Sequence, residues 1–244
     1  MDRQANHESS ITSHKSQIAN HKSQIARPVA ISDLFSRRSK PEHDAAEGAA
    51  DNSSVVPTKA LPRFLATLSS REQPSLVDLG PVVGQNVTFF GEQLGCKIFV
   101  EDTFQDIDRH AREGRVAELP AFLQKRFPQA TDSMDGILCW DVFDYLERPA
   151  ALALARQLTR ILRPEGVLLA IFSSLEIKGG PQTYTKHIVE DPANLRHRSY
   201  PAAVSRQRPL LNRDIIRMFE PMRVAEQFLL KTNLREVLFR KPAA

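Results

Sequence analysis

An acidic residue followed by two glycines is the first group in this sequence with the residue types and spacing to do chemistry. Residues 76–80 form an apolar run around Asp78, and Gly80 and Gly84 flank a turn before a helix predicted over residues 85–94. Glycine lets the backbone approach a ligand closely, and the first amides of a helix are free to bind one. The pattern predicts a nucleotide-binding turn at the carboxyl end of a strand, or else a tight turn without a ligand.

A pair of acids follows the next predicted strand, at a place that suits the same ligand. The strand covers residues 96–100, and Glu101 and Asp102 end it. A carboxylate at this place in an α/β sheet accepts hydrogen bonds from the hydroxyls of a ribose. The alternative is that one of the acids caps the helix predicted over residues 104–112, since Asp is a preferred N-cap residue.

The elements that position these residues alternate between strands and helices, which predicts a parallel sheet with right-handed crossovers. Further helices are predicted over residues 60–68, 117–126, 150–162 and 212–219, and further strands over residues 134–140, 167–172, 223–230 and 236–240. Thr232 and Asn233 form a predicted tight turn between the last two strands, and residues 173–209 are predicted to be irregular. The predicted fold class is α/β, with a three-layer Rossmann-like sheet that is mostly parallel and ends in a C-terminal antiparallel hairpin.

The beginning of the chain differs in composition from the rest. Residues 1–57 are rich in Ser, Ala, Asn, His and Lys, and they contain a seven-residue repeat with one isoleucine in each unit. One apolar position per repeat does not make a coiled-coil seam, and such a composition buries too little apolar surface to fold. We therefore expect a disordered tail over residues 1–57 and one domain over residues 58–244.

The composition also argues against several classes of protein. Cys96 and Cys139 are too few for a disulfide scaffold or a cysteine-built zinc site, and we expect no metal. No apolar run approaches the ~20 residues that cross a bilayer, and no signal-peptide segment is expected, which indicates a cytoplasmic protein without a membrane partner. The net charge of +4 does not favour a nucleic-acid partner, and the basic residues between 196 and 241 are interpreted as a solvated face.

Four segments resemble the class I S-adenosylmethionine-dependent methyltransferases, and the resemblance extends over about residues 60–242. They are the loop at residues 78–84, the acidic end of the second strand, the strand and following loop at residues 134–146, and the leucine-rich helix, turn and strand at residues 158–169. The final hairpin resembles the antiparallel strand that ends the sheet in that family. The glycine loop is degenerate, since Pro81 follows Gly80 and Val82 replaces the middle glycine.

The resemblance implies an S-adenosylmethionine-dependent methyltransferase whose acceptor, a small molecule or a macromolecule, is not identified. It implies that Asp78 orients the loop or the cofactor amine, that Gly80 and Gly84 line the cofactor, and that Glu101 or Asp102 holds the ribose. Asp141, after the strand at residues 134–140, is implied to face the cleft near the methyl group. The remaining candidates for catalysis are Tyr184 and His187 in the variable segment, where an imidazole near an acceptor hydroxyl would act as a base.

Two other functions remain open. A non-catalytic binding or scaffold protein with the same fold is the first, because Val82 narrows the loop and the segment at residues 117–126 looks helical where the family has a strand that contacts the adenine. A dinucleotide-dependent enzyme such as a dehydrogenase is the second, and it is disfavoured because the chain lacks the Gly-x-Gly-x-x-Gly turn that a pyrophosphate needs.

Overall fold

The computed structural model describes residues 53–176 and 182–243 of the chain. Most of the predicted tail, including its seven-residue repeat, lies outside the described residues. Within the predicted tail, however, Ser54–Pro57 form strand β1. These four residues pair with a strand of the domain through the short apolar run around Val55 and Val56.

The described residues form strands and helices in alternation over most of their length. The strands are β1 and then β2 Ser75–Asp78, β3 Lys97–Val100, β4 Met134–Trp140, β5 Leu162–Ser173, β6 Thr183–Asp191, β7 Asn194–Pro201, β8 Arg223–Leu229 and β9 Leu234–Arg240. The helices are α1 Ala60–Ser69, α2 Gly84–Val87, α3 Thr103–Arg112, α4 Leu119–Leu123, α5 Arg148–Ile161 and α6 Asn212–Met218. A π-helical stretch, Thr88–Gln93, extends α2.

The larger sheet has six strands in the order β3-β2-β4-β5-β9-β8. Strands β2 to β5 pair in parallel, whereas β9 pairs antiparallel with both β5 and β8. Every residue of β4 is buried, including Asp135, because a central parallel strand is covered on both faces. The prediction of a mostly parallel sheet that ends in an antiparallel hairpin is confirmed.

Helices cover both faces of this sheet. On one face, α3, α4, α5 and α6 pack through a core that includes Ile107, Leu154 and Ile215. On the other face, α1 and the π-helical stretch pack through a second core that includes Phe64 and Phe90. The predicted three-layer arrangement is therefore confirmed. Among the described residues, no helix is both long enough and apolar enough to span a membrane.

A second sheet, which we call the cap sheet, contains β1, β7 and β6 in that order, all antiparallel. It occupies much of residues 173–209, so the prediction that this segment is irregular is wrong. The error has a physical reason: the cap sheet buries only a few apolar residues, such as Ile188, Val189 and Leu195, and its other positions are polar. Its strands therefore lack the apolar runs that indicated the others.

Helix α1 packs closely on the sheet at Gly136 in β4. A Cβ atom at that position would lie 2.8 Å from Leu68 Cδ2 and 3.0 Å from Phe64 Cζ, and both side chains are fully buried. We expect Gly136→Ala to lower the free energy of unfolding by about 1–3 kcal/mol, the usual cost of overpacking a core. Urea denaturation measures this. Gly84→Ala is the control, since no atom lies within 4 Å of a Cβ there, and an equal loss in both variants would contradict close packing at Gly136.

Candidate functional site

A cleft lies at the carboxyl ends of β2 and β4, under strand β6 of the cap sheet. It encloses about 350 Å³ of empty space, part of it open to solvent. Its lining comes from the turn after β2, from helices α2 and α3, from the end of β4 and from β6, and includes Gly80, Asn86, Phe104, Trp140, Asp141 and His187. The carboxyl edge of a parallel sheet is where α/β folds bind ligands, so this cleft is the candidate functional site.

Asp78 lies behind the Trp140 side chain of the cleft, buried at the end of β2. Its Oδ1 accepts a hydrogen bond of 2.6 Å from Trp140 Nε1 and one of 2.9 Å from the backbone amide of Gly80. Burial raises the pKa of Asp78 from 3.8 to about 6, although these hydrogen bonds oppose the shift. The carboxylate is thus ionised at neutral pH but held in an environment that favours its neutral form.

Position 80 requires glycine because the Trp140 side chain occupies the space that a Cβ atom would need. A Cβ at Gly80 would lie 2.8 Å from Trp140 Cδ1 and 2.9 Å from its Nε1. Trp140 itself has a φ of +48°, in the left-handed region that bulky residues seldom adopt. Strained backbone of this kind persists where the surrounding structure holds it, and it occurs often at functional sites.

Trp140 and His187 form a stacked wall across the cleft. Their ring centroids are 5.2 Å apart and the rings are almost parallel, with an interplanar angle of 4°. The edge of His197, which is opposite His187 in the β6–β7 register, contacts the imidazole at a centroid distance of 4.6 Å. His187 is therefore fixed in orientation by an aromatic ring on one face and a second imidazole at its edge.

A chain of charges lies beside this wall. Asp141 Oδ1 is 3.1 Å from His187 Nε2, and Asp141 Oδ2 accepts a hydrogen bond from Arg206. Arg206 also donates to Asp144 Oδ2 at 2.6 Å. Burial would raise the pKa of Asp141, but the charges of His187 and Arg206 outweigh burial and hold that pKa well below its usual range.

Arg206 contacts two carboxyl groups, and Asp144 is the one whose ionised form is less favoured. Burial raises its pKa from 3.8 to about 7, against the opposing effects of Arg206 and of a 2.9 Å hydrogen bond from the Ser173 amide. The guanidinium of Arg206 also lies 4.9 Å from the centroid of the Tyr145 ring. One arginine from the segment after the cap sheet thus holds two buried carboxyls at the end of β4.

The cap sheet is attached to the turn region by side chains that bond its backbone. Asn86 Nδ2 donates to the carbonyl of His187 at 2.9 Å, and Asn86 Oδ1 accepts from the amide of Val189 at 2.8 Å. Gln85 Nε2 donates to the carbonyl of Val189 at 2.8 Å. Two side chains of α2 therefore form hydrogen bonds with backbone groups of β6, as a neighbouring strand would. These bonds position His187 over the cleft.

The two acids predicted to hold a ribose are occupied by other partners. Glu101 accepts hydrogen bonds from Arg126 and, at 2.6 Å, from Gln129 Nε2. Asp102 accepts from the amide of Gln105 at 2.9 Å and so caps α3, which is the alternative that the sequence left open. Burial raises the pKa of Asp102 above its usual value. Neither acid lines the cleft.

The structure brings some of the other predicted site residues together and separates the rest. Gly80, Asp141, Tyr184 and His187 line the cleft, with Asp78 directly behind Trp140. Gly84 begins α2 and does not line the cleft. Val82 is 61% exposed and does not line the cleft.

Three residues of the site were missed in the sequence. Asn86 and Phe104 are ordinary helix residues in the sequence, and no local pattern indicates that they face the cleft. Asp144 follows Asp141 by three residues, a spacing that puts two acids near each other on a helical turn, and this signal was available. Among residues 53–176 and 182–243, no three His, Cys, Asp or Glu side chains are arranged to hold a metal ion.

Comparisons with known proteins found similarity in structure alone. The sequence matches no protein-family model, and no curated protein matches it. A methyltransferase from Aquifex aeolicus that depends on S-adenosylmethionine aligns over 73% of this chain and 88% of its own, with a TM-score of 0.41 and 16% identity. The CcbJ methyltransferase from Streptomyces caelestis aligns over 74% and 93%, with a TM-score of 0.45 and 13% identity.

A third structure was solved with ligands. It is the 1,6-didemethyltoxoflavin-N1-methyltransferase of Burkholderia thailandensis, with 1,6-didemethyltoxoflavin and S-adenosylhomocysteine bound; it aligns over 75% of this chain and 77% of its own, with a TM-score of 0.45 and 13% identity. At these values the assignment depends on the strand order of this chain and not on the alignments. That order, with β9 as the antiparallel strand of the six, gives the chain a Rossmann-like α/β fold.

Proposed function

We propose that the protein binds S-adenosylmethionine in the cleft and transfers its methyl group to an acceptor that enters beneath β6. The observation that carries this proposal is the cleft at the carboxyl edge of the sheet, which the buried Asp141 lines, with the buried Asp78 behind its Trp140 side chain.

The residues of the cleft fit the cationic part of this cofactor. S-adenosylmethionine would supply a methyl group on a positively charged sulfur, and its amino acid end carries an ammonium group. Asp141 lines the cleft and Asp78 lies behind Trp140, so both place buried negative charge near these groups, and Asp141 shares its charge with Arg206. Both ring nitrogens of His187, which also lines the cleft, are buried without a hydrogen-bond partner among the described residues. An unsatisfied polar atom in a cleft indicates that a polar group belongs beside it.

The ribose end fits less well, and the structure changes the assignment there. Glu101 has both carboxylate oxygens engaged by Arg126 and Gln129. Asp102 accepts the hydrogen bond that caps α3 through Oδ1 alone. We therefore assign the ribose hydroxyls to Asp102 and a supporting role to Glu101. The chain's own contribution to transfer is alignment and exclusion of water by the Trp140–His187 wall.

A binding protein without catalytic activity is the second candidate. The observation that favours it is the wall itself, because the stacked rings of Trp140 and His187 narrow the cleft where a cofactor has to lie. The same observation gives an assay, since Trp140 is the single tryptophan of the chain. Its fluorescence reports on any ligand that displaces or covers the indole.

Calorimetry with S-adenosylmethionine and S-adenosylhomocysteine on the full chain tests the proposal. We expect dissociation constants in the micromolar range and a change in Trp140 fluorescence on titration. Asp102→Asn should weaken binding at least tenfold, because asparagine caps a helix as well as aspartate but removes the charge. Glu101→Gln is the matched control, and we expect its dissociation constant to lie within threefold of that of the unmodified protein. No heat at millimolar ligand would favour the second candidate.

A further inference from the structure

The cap sheet has one face toward the domain and one toward solvent. Side chains alternate between the two faces of a strand, and Val189 of β6 and Leu195 of β7 are buried in the core beneath the sheet. Residues one position away along each strand therefore lie on the opposite face, which we call the outer face. Val55 of β1 belongs to the outer face and is 53% exposed. The outer face also carries two cations and two tyrosines, which are Lys186, Arg198, Tyr184 and Tyr200.

The two tyrosines belong to a stack of three rings. They are directly opposite each other in the β6–β7 register, with ring centroids 5.6 Å apart and an interplanar angle of 29°. Tyr184 also stacks on the buried Phe104 of α3, at a centroid distance of 4.2 Å and an angle of 20°. Tyr200 ends the stack and is half-buried. Because Phe104 and Tyr184 line the cleft, the stack leads from the cleft to the outer face.

The two cations lie next to the tyrosines and are also directly opposite each other. Like charges at opposite positions repel and destabilise a pair of strands. Among the described residues, neither Lys186 nor Arg198 forms an ion pair, whereas Arg196 on the same face pairs with Glu190 at 2.6 Å. Lys186 Nζ lies 4.4 Å from the ring centroid of Tyr200. An anion bound between Lys186 and Arg198 would remove their repulsion.

Aromatic rings beside unpaired cations suit a single-stranded nucleic acid. Its phosphates pair with lysine and arginine, and its bases stack on aromatic side chains. Antiparallel sheets bind RNA on an open face in this way. A base that stacks on Tyr200 takes the place of the Lys186 ammonium over the ring, which frees that cation for a neighbouring phosphate. A free phosphate or a carboxylate would use the cations but not the rings, so the tyrosines favour a nucleic acid.

We propose that the outer face of the cap sheet binds single-stranded RNA, with phosphates on Lys186 and Arg198 and a base stacked on Tyr200. Unpaired strands are typical of RNA, since most DNA is held in duplexes, and the tyrosine hydroxyl offers a hydrogen bond to the 2′-hydroxyl that distinguishes RNA. The proposal gives the protein a macromolecular partner beyond the proposed function. It does not depend on that function, because the outer face binds its ligand without the cofactor.

A second pair of opposed cations provides the control. Arg223 and Arg240 are directly opposite each other in the β8–β9 register, in a groove at the amino end of β5. Arg240 pairs with Glu165 at 3.3 Å. None of the described residues that line this groove is aromatic. If charge alone attracted RNA, substitutions in either pair would weaken binding equally. If stacking contributes as well, only those in the cap sheet would have the larger effect.

The first test measures the contribution of charge on the full chain without cofactor. Fluorescence anisotropy follows the binding of a fluorescein-labelled RNA of about 12 nucleotides without self-complementarity. We expect a dissociation constant of about 1–10 μM at about 0.1 M salt. Arg198→Gln and Lys186→Gln should each reduce the slope of log affinity against log salt concentration by about 0.7, the value for one phosphate contact. Arg223→Gln should leave the slope unchanged, and an equal reduction in Arg223→Gln and Arg198→Gln overturns the proposal.

The second test measures the contribution of the ring. Tyr200→Leu should weaken RNA binding about tenfold, whereas Tyr200→Phe should bind within about twofold of the unmodified protein because it keeps the ring. A strand of the same length whose sugars carry no bases should bind the unmodified protein no more tightly than RNA binds Tyr200→Leu. Urea denaturation checks that both variants are folded. Unchanged binding in Tyr200→Leu overturns the stacking, and equal or tighter binding of DNA of the same sequence overturns RNA as the partner.

The outcomes separate this inference from the proposed function. If RNA does not bind while calorimetry detects S-adenosylmethionine, the RNA-binding face is overturned and the proposed function stands. If RNA binds through these residues while calorimetry detects no cofactor, the proposed function fails and the RNA-binding face stands. Arg198→Gln is the variant for this comparison, since Lys186 also acts on Asp102: burial raises the pKa of that carboxyl, and the charge of Lys186 opposes the shift. Arg198→Gln should bind S-adenosylhomocysteine as the unmodified protein does, and a parallel loss of cofactor and RNA binding would overturn a separate RNA-binding face.

Discussion

Arg206→Ala is expected to lower the free energy of unfolding by about 3–5 kcal/mol at pH 8, the cost of leaving a buried charge without its partner. Arg206 is the cation that pairs with both Asp141 and Asp144, whose side chains are 8% and 3% exposed. Without it, two carboxylates repel each other in a buried place. The loss should be smaller at pH 5.5, because the pKa of Asp144 is already about 7 and removal of the cation raises it further. Urea denaturation at the two pH values measures the difference.

A double-mutant cycle gives the control for this prediction. Asp144→Asn removes one of the two charges and should restore at least about 1 kcal/mol to the Arg206→Ala variant at pH 8, since contacting residues couple by 0.5–3 kcal/mol or so. Arg206→Lys keeps the charge, but an ammonium group cannot donate to both carboxylates at once as the planar guanidinium does. We therefore expect an intermediate loss in the free energy of unfolding. Equal losses at pH 5.5 and pH 8 would show that packing of Arg206 on Tyr145, and not charge, dominates.

Asp78→Asn is expected to stabilise the protein at pH 8 while it weakens cofactor binding. The folded-state pKa of Asp78 is about 6, above the ordinary 3.8, so the folded state keeps a proton that the unfolded state releases. Stability therefore falls as the pH rises from about 4 to about 6, by at most about 3 kcal/mol, and stays lower above that range. Asparagine removes this loss and still presents an oxygen to Trp140 and Gly80.

Two measurements check the Asp78 prediction. Thermal or urea unfolding should show Asp78→Asn more stable than the unmodified protein by about 1–3 kcal/mol at pH 8, and the difference should vanish near pH 4. Calorimetry should show binding of S-adenosylmethionine weakened at least tenfold at pH 8. Asp78→Leu is the contrasting variant, because it leaves the Trp140 and Gly80 donors unpaired and should destabilise at every pH. A destabilised Asp78→Asn at pH 8 would contradict the assignment of a costly buried charge.

The large sheet could be predicted from the sequence because its strands and helices have strong apolar patterns. Strand β4 ends in the apolar run Ile137 to Trp140, and α5 repeats apolar residues on one face, so both were placed almost to the residue. The cap sheet could not be predicted in this way, because most of its positions are polar and its few buried residues are spread over two strands. Periodicity indicates burial, and a sheet with little burial gives a weak signal.

The site was predicted in part, and the misses share a cause. Asp78, Gly80 and Asp141 lie at strand ends, where the order of elements alone places them at the carboxyl edge. The engagement of Glu101 by Arg126 and Gln129 joins residues 25 and 28 positions apart, and the bond from Arg206 to Asp141 joins residues 65 apart. No local pattern reports such pairs, because they depend on how separate elements pack.

The hydrogen bonds that attach the β6–β7 hairpin to α2 have a consequence for evolution. Asn86 bonds the main chain of β6, and Gln85 bonds its main chain and, at 3.4 Å, Glu190 Oε1; main-chain groups are the same in every sequence. Side chains of β6 that face the cleft, such as Tyr184 and Thr185, can therefore be exchanged while the hairpin stays attached. A single ancestral scaffold could in this way acquire new preferences for its acceptor by point substitution, with the sheet and its buried acids left intact.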